Sequence, residues 1–541
     1  MIKKRSLKIY TAFILILSAL ILRLFTLTDS SSKAASLSRG QRYSVPLSVQ
    51  RGNILDRNDV SLLDGDNDIF AVCLPPLKGG SYAAERLSEC SSLSPEKINK
   101  LITANLPFAV KVNDANLRLE NVALLEVSRR FPRDGVAAHL IGYTSDGGSK
   151  GVCGLEAAFD NILRCETSLF ASLDVAPRTH ELLSASLTQN GSGDMGGIKL
   201  TLDKRMSQFA RWFFEGVEAN ECGAVVVMDA NNGDLLVCES FPAYDPNNVA
   251  NYLNSPNAPL MNRAFSSFNL GSAFKIVTAA AIIENHAEDF THNCRGYVHV
   301  GMKDVACHNG NGHGNETLSS AFADSCNPYF IKAALSLGRE PVFDAARRFG
   351  FGIAYRFADG LASAPGSLPE ANSLAASAAL ANFSIGQGEL MATPIQVALM
   401  VSAVANGGVR PVPRLVESVF DADGDTCEVF DTKNGERVIS AETAKTLRAL
   451  MTNAVENGTG KNAKPKIGGA GGKTATAQTG SFIDGKRKNN AWFAGFFPAD
   501  NPKYTIVVLA ENGTSGSVNA APVFKKLCDY LSDLEQLSQT P

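Results

Sequence analysis

A serine hydroxyl is a poor nucleophile until a neighbouring base takes its proton. Ser-x-x-Lys supplies such a base, because on a helix the two side chains lie one turn apart on one face. The pattern occurs three times in this chain. Ser30-Ser31-Ser32-Lys33 sits in a Ser-rich stretch with no scaffold around it. Ser94-Pro95-Glu96-Lys97 reads as a helix N-cap with proline at the first helical position. Ser272-Ala273-Phe274-Lys275 follows Gly271 and opens an Ala/Ile-rich run to Glu284 with the content of a buried helix. Burial there would disfavour the ammonium form of Lys275 and leave an amine able to act as a base. A capping serine beside a surface lysine accounts equally well for this segment taken alone.

Two downstream segments shift that balance. Ser325-Cys326-Asn327 precedes an apolar, helical-looking stretch and brings a hydroxyl for proton relay and a side-chain amide for a peptide bond. Lys473-Thr474-Ala475-Thr476 follows the glycine-rich approach Gly468 to Gly472 and reads as an edge strand carrying one cation and two hydroxyls, suited to a carboxylate. A phosphate loop is excluded, since no G-x-x-x-x-G-K-[ST] spacing fits. Each segment is common by itself; the ordered triple is far more specific.

These residues must be positioned by elements spread widely along 541 residues, a length that suggests two to four domains. Cys222 to Asp229 is a buried-strand run, Asn231 to Asp234 a hairpin turn, and Leu235 to Glu239 a second strand. Ala491 to Phe497 and Tyr504 to Leu509 are two more strands, closed by a helix over Pro522 to Leu537. Strands at both ends of the region 200–537, with helices between, predict an α/β domain whose central sheet assembles from distant segments. A Gly-rich junction from Gln189 to Gly197 separates it from a mixed α+β region, 40–195. Hydrophobic content of 45% with 19% charged residues is that of a globular protein, and a net charge of -3 gives no basic field for nucleic acid.

The N-terminus sets the compartment. Ile9 to Leu27 is apolar apart from Arg23 and close to the ~20 residues that cross a bilayer. Lys3, Lys4, Arg5 and Lys8 precede it, so the positive-inside rule leaves 1–8 in the cytoplasm, 9–28 as a transmembrane anchor, 29–39 as a tether and the rest outside. An uncleaved anchor is favoured over a signal peptide because the apolar run is long. The odd number of cysteines, eleven, cannot all pair, and none forms a CxxC or a spaced Cys/His zinc pattern. In an exported chain this suggests an anaerobic or weakly oxidising habitat, with most thiols serving as small buried hydrophobes.

The chain resembles a class B penicillin-binding protein. S-x-x-K, S-x-N and K-T-G in this order mark penicillin-binding proteins and serine β-lactamases. Arg51-Gly52-Asn53-Ile54-Leu55-Asp56-Arg57-Asn58 is similar to the opening of that family's non-catalytic pedestal. His139 to Tyr143, Gly154-Leu155-Glu156, Asn262-Arg263, Ser384 to Gly388 and Ala491 to Gly495 also match, as does the Cys294, Cys307, His313-Gly314 segment. The resemblance implies a single anchor, a pedestal at 40–195 (the dimerisation-like domain) and a penicillin-binding/β-lactamase-like transpeptidase domain at 200–537. It implies Ser272 as acylated nucleophile, Lys275 as its base and Ser325 as proton relay. Asn327 would orient the donor, and Lys473, Thr474 and Thr476 would hold its carboxylate. The backbone N–H groups of Ser272 and Thr476 would form the oxyanion hole. The implied reaction joins a D-Ala-D-Ala donor to an amine acceptor of peptidoglycan, is blocked by β-lactams, and needs no metal or organic cofactor. The implied partner is a SEDS-family glycosyltransferase, and the implied place is the outer face of the cytoplasmic membrane.

Relatives sharing the triad include β-lactamases, β-lactam sensors and D,D-carboxypeptidases. The long pedestal argues against the first and third, and a single anchor against a multi-span sensor. An inactive scaffold of the wall-synthesis complex is the non-enzyme alternative. The pattern is broken at Ala475, where the family has glycine and where a methyl would project toward donor or β-lactam. Leu270, in place of a common proline, and Cys165, in place of a usual glycine, are further departures.

Overall fold

The computed structural model describes residues 13–539 apart from 15, 22, 24–40, 64, 134, 146–147, 192–194 and 484–485. The expected cytoplasmic tail, the tether and most of the anchor lie outside the described residues. Positions 13, 14, 16–21 and 23 of the anchor are helical. Among the described residues no helix is long and apolar enough to cross a membrane.

The chain folds as two compact units. One comprises residues up to Gln50, Asn67–Ser128 and Glu166–Ser192. Its Asn67–Cys73 strand is flanked antiparallel by Phe108–Val112 and Val122–Ser128. Alternate side chains point to opposite faces of a strand, and this one uses both. Ala71 and Cys73 pack with Leu87 and Ile98 of the helices Ser81–Glu89 and Pro95–Thr103. Val72 and Leu74 pack with Val45, Ala171 and Leu173 of a three-stranded sheet. Ser94 caps its helix, accepting from Lys97 N at 3.4 Å with Pro95 next, as the sequence suggested.

The second unit contains residues 51–66, 129–165 and everything from 193 onward. The segments 51–66 and 129–165, expected within the pedestal span 40–195, thus group with the C-terminal region. Pairing explains this. Asn53–Leu55 runs parallel to Gly197–Leu200, which pairs antiparallel with Val416–Phe420. The polar residues of the 51–58 segment serve the scaffold. Arg51 and Glu156 are buried and joined at 3.0 Å, with Asp160 on the second arm of the guanidinium at 2.7 Å and Arg130 on the other oxygen of Glu156. Buried charges persist only when paired in this way. Asp56 accepts the N–H of Asn58, Val60 and Lys204, tying the turn to the start of the Lys204–Glu215 helix.

The centre of this unit is a five-stranded antiparallel sheet in the order Leu235–Phe241, Gly223–Asp229, Tyr504–Gly513, Lys486–Phe497, Gly471–Ile483. The Gly223–Asp229 strand reads as one apolar run because both its faces are covered. Ala224, Val226 and Met228 face one core with the wholly buried Pro394–Ala405 helix. Val225 and Val227 face a second core with Phe214 and Phe524 from the helices Lys204–Glu215 and Ala521–Gln539. Helices on both faces of the sheet make the mixed α/β layering expected. Gly471–Ile483 is the outermost strand, which leaves its far edge facing the site.

Candidate active site

Ser272 lies in a 3₁₀ turn, Gly271–Phe274, that runs directly into the Lys275–Glu284 helix. Two glycines make this turn possible. Gly271 has φ +63° and donates its N–H to Gly386 O at 2.8 Å, and Gly386 has φ +73°. A Cβ on Gly386 would stand 2.1 Å from Gly271 O, so the turn can be seated only against a residue without one. Thr278 Oγ1 donates to Ser384 O at 2.8 Å, and Trp492 Nε1 donates to Asn269 O at 2.9 Å. The Ser384–Gly388 and Ala491–Gly495 segments, given no chemistry by the sequence, are therefore what fixes the turn bearing Ser272.

Lys275 is fully buried behind the turn. Its Nζ donates to Ser325 O at 2.6 Å, Asn327 Oδ1 at 2.7 Å and Ser325 Oγ at 3.2 Å. The same nitrogen lies 5.5 Å from the Phe330 ring centroid. Burial lowers the Lys275 pKa to about 7, outweighing the opposing influence of Cys326 and Cys307. Ser325 takes a left-handed conformation, φ 56°, at the end of a helical turn over Leu318–Ala323. For a residue with a side chain this is a sparsely used region, held here by its surroundings. Asn327 opens the Asn327–Leu337 helix and donates through Nδ2 to Ala306 O at 3.2 Å.

Ser272, Ser325, Asn327, Thr474, Ala475 and Thr476 line one cavity of about 950 Å³. Thr474 donates to Thr459 Oγ1 at 2.9 Å, and Thr476 Oγ1 accepts from Gly516 N at 3.3 Å. Lys473 is placed differently from the expectation of a cation gripping a ligand. It is fully buried, absent from the cavity wall, with Nζ 5.8 Å from the Phe322 centroid. Its pKa is pushed well down by burial and then by Lys275, with Asp324 opposing.

Thr459, Asn382 and Gln387 also line the cavity, and sequence reading passed over them. Asn382 sits near a helix end with no pattern to single it out, whereas Gln387 lies in the Ser384–Gly388 segment, which was matched but given no chemistry. Thr459 had a weak signal, a hydroxyl between Gly458 and Gly460 directly after the Ala441–Glu456 helix.

Ala475 is only 2% exposed and belongs to the main core, packed with Trp492 and its neighbours. Its methyl group is therefore mostly interior, which moves the expected cost of the departure from the cavity to the strand. Ala475→Gly should lower stability by ~1 kcal/mol, the usual effect of glycine inside regular structure. It should change acylation rates by less than about threefold for slim and bulky β-lactams alike, since a methyl at the cavity wall that is almost wholly packed into the core can shift a ligand little. A large gain confined to bulky drugs would show that the methyl does reach the donor.

A hydroxyl with a buried amine for a base, opening on a groove beside an outermost strand, has what a serine acyltransferase for an extended peptide requires. The penicillin binding protein transpeptidase domain model matches residues 223–529. Stage V sporulation protein D of Bacillus subtilis is 29% identical over 510 residues, covering 88% of this chain and 77% of that protein. The peptidoglycan D,D-transpeptidase PbpA of Mycolicibacterium smegmatis is 30% identical over 369 residues, 62% of this chain and 72% of that one. Penicillin-binding protein 3 of Mycobacterium tuberculosis, solved with aztreonam, superposes with a TM-score of 0.65 at 24% identity, covering 92% of this chain and 98% of that one, a likeness of fold. The chain belongs to the penicillin-binding protein transpeptidase family.

Proposed function

We propose that the chain is a serine D,D-transpeptidase that cross-links peptidoglycan stem peptides from the outer face of the cytoplasmic membrane. The observation that carries this reading is the Lys275 amine, buried behind Ser272 and bonded to both Ser325 and Asn327 at the wall of one cavity.

Neutral Lys275 takes the Ser272 proton as Oγ attacks the carbonyl carbon of the penultimate D-alanine of the donor. The oxyanion is met by the backbone N–H groups of Ser272 and Thr476. Collapse breaks the peptide bond, and the departing D-alanine nitrogen receives its proton through Ser325 from the lysine. An acceptor amine then attacks the ester, gives up a proton by the same route and restores the Ser272 hydroxyl. Asn327 orients the donor amide. Thr474 and Thr476 bind its terminal carboxylate, with Lys473 adding positive potential from behind the strand. β-Lactams acylate the same hydroxyl.

A pedestal within 40–195, less the segments 51–66 and 129–165 that fold with the second unit, and a catalytic domain at 200–537 follow an anchor at 9–28, which the basic residues before Ile9 orient with its N-terminus inside. Anchor and pedestal dock a SEDS-family glycosyltransferase that supplies the glycan strands. Co-purification from detergent without such a partner, together with intact function after anchor replacement, would remove this part.

Fluorescent penicillin should label the full chain, and Ser272→Ala should abolish the label while leaving the melting temperature within a few degrees. An unlabelled wild type would instead favour a non-catalytic scaffold of the wall-synthesis complex.

A further inference from the structure

All eleven cysteines are free thiols, and most are scattered singly through the cores as packing residues. Three of them are not scattered. Cys294, Cys307 and Cys326 converge with His313 so that their sulfur and nitrogen atoms all lie within 4.8 Å of one another. They come from four places: the end of the His292–Cys294 strand, the residue after the Lys303–Ala306 strand, the residue before the Gly314–Glu316 strand, and the cap of the Asn327–Leu337 helix. The Cys307 sulfur is 3.6 Å from His313 Nδ1. All three cysteines are buried, and the His313 side chain is 10% exposed.

We propose that Cys294, Cys307, His313 and Cys326 hold one zinc ion, and that this ion braces the turn carrying Ser325 and Asn327. Packing explains a buried cysteine, but not three sulfurs gathered around an imidazole. Tetrahedral ligands at the usual zinc–sulfur distance of ~2.3 Å stand ~3.8 Å apart, so the cluster needs to close by only ~1 Å. Three thiolates and one imidazole form a closed structural set, and soft sulfur donors select zinc over magnesium or calcium.

A second observation points the same way. Glu316 Oε1 is buried with no hydrogen-bond partner among the described residues, 3.6 Å from His313 Nδ1. Binding through Nε2 would leave the Nδ1 N–H of His313 for this oxygen, the kind of acceptor contact that fixes the tautomer of a metal-bound histidine. Glu316 itself is held by Ser320, whose hydroxyl donates to its other oxygen.

The ion sits where it would matter for acylation. Cys326 lies between Ser325 and Asn327, the two residues bonded to Lys275. Cys307 directly follows Ala306, whose carbonyl accepts from Asn327 Nδ2 at 3.2 Å. One metal therefore ties together both sides of the contact that aims Asn327 and would keep Ser325 in its left-handed conformation. It has no free coordination position in this arrangement and acts through positioning.

The full chain, purified in detergent under reducing conditions, should contain about one zinc by mass spectrometry. Exchange for cobalt should give the visible bands of a tetrahedral thiolate site. Cys294→Ser should lose both signals, and Glu316→Gln should weaken affinity ~10–100-fold, while Cys427→Ser, at an exposed thiol elsewhere, should retain the metal. Chelation should slow penicillin acylation of Ser272, and added zinc should restore it. If Cys294→Ser does not fold, alkylation of the wild type decides, since a chelator should expose Cys294, Cys307 and Cys326 together. A wild type with neither zinc nor a cobalt spectrum, or with two of the three sulfurs joined as a disulfide, overturns the site. Zinc whose removal leaves acylation unchanged overturns the bracing.

Discussion

Lys275→Ala is expected to slow the acylation of Ser272 by ~10³-fold, the range for losing a positioned general base. In the wild type the rate should rise as pH increases through about 7. The sign follows from burial. The folded protein disfavours the ammonium form, so Lys275 sheds its proton well below the usual lysine range, and the neutral amine is the active form. Of its three hydrogen bonds the longest, 3.2 Å to Ser325 Oγ, is the one that can be given up on deprotonation. The lone pair is then free to take the Ser272 proton, while Ser325 O and Asn327 Oδ1 keep the two N–H groups. Lys275→Arg should be as slow as Lys275→Ala and show no rise near neutrality, because a guanidinium stays charged. Stopped-flow acylation across pH measures all three proteins. An alanine variant within tenfold of wild type would remove Lys275 as the base.

The parts of this site legible in the sequence are those set by local spacing. Ser272 and Lys275 are a turn apart, and Gly271 ahead of them announces a backbone that few residues adopt. The Cys222–Asp229 run was readable as a strand because both faces are buried. Asn231 to Asp234 was readable as a turn, and Asp229 does accept the N–H of Asn231 and Asn232 there. What the sequence hid depends on pairing between distant segments. Nothing local says that Asn53–Leu55 pairs with Gly197–Leu200 and so belongs beside the catalytic unit. Nor does spacing bring Cys294 and Cys326 together, since they meet only after two short antiparallel pairs and a helix cap have formed. The burial of Lys473 was hidden for a different reason. Along the Gly471–Ile483 strand Lys473, Ala475 and Ala477 share one face, and that face turned out to be the interior one. A lysine in a K-T-x-T strand reads as exposed until the helical turn bearing Phe322 and Asp324 is seen to cover it.

That burial gives Lys473→Met two opposite effects. The substitution keeps most of the volume and removes a cation that burial already disfavours. Replacing a costly buried charge by a well-packed apolar side chain is often stabilising by ~1–4 kcal/mol, so the variant should unfold at higher denaturant concentration. The gain should be present at neutral pH and shrink as pH rises toward the ordinary lysine value of ~10.4. Below that value the unfolded chain holds the proton that the folded Lys473 resists, and the penalty removed is therefore largest there. Activity should move the other way. Loss of positive potential behind Thr474 and Thr476 should slow acylation by carboxylate-bearing donors ~10²-fold, comparable to removing one oxyanion donor. Denaturant unfolding and acylation profiles on one preparation separate these effects. A variant that is both less stable and slower would be simply misfolded around the strand, and one with wild-type acylation would show that the buried cation plays no part in holding the donor.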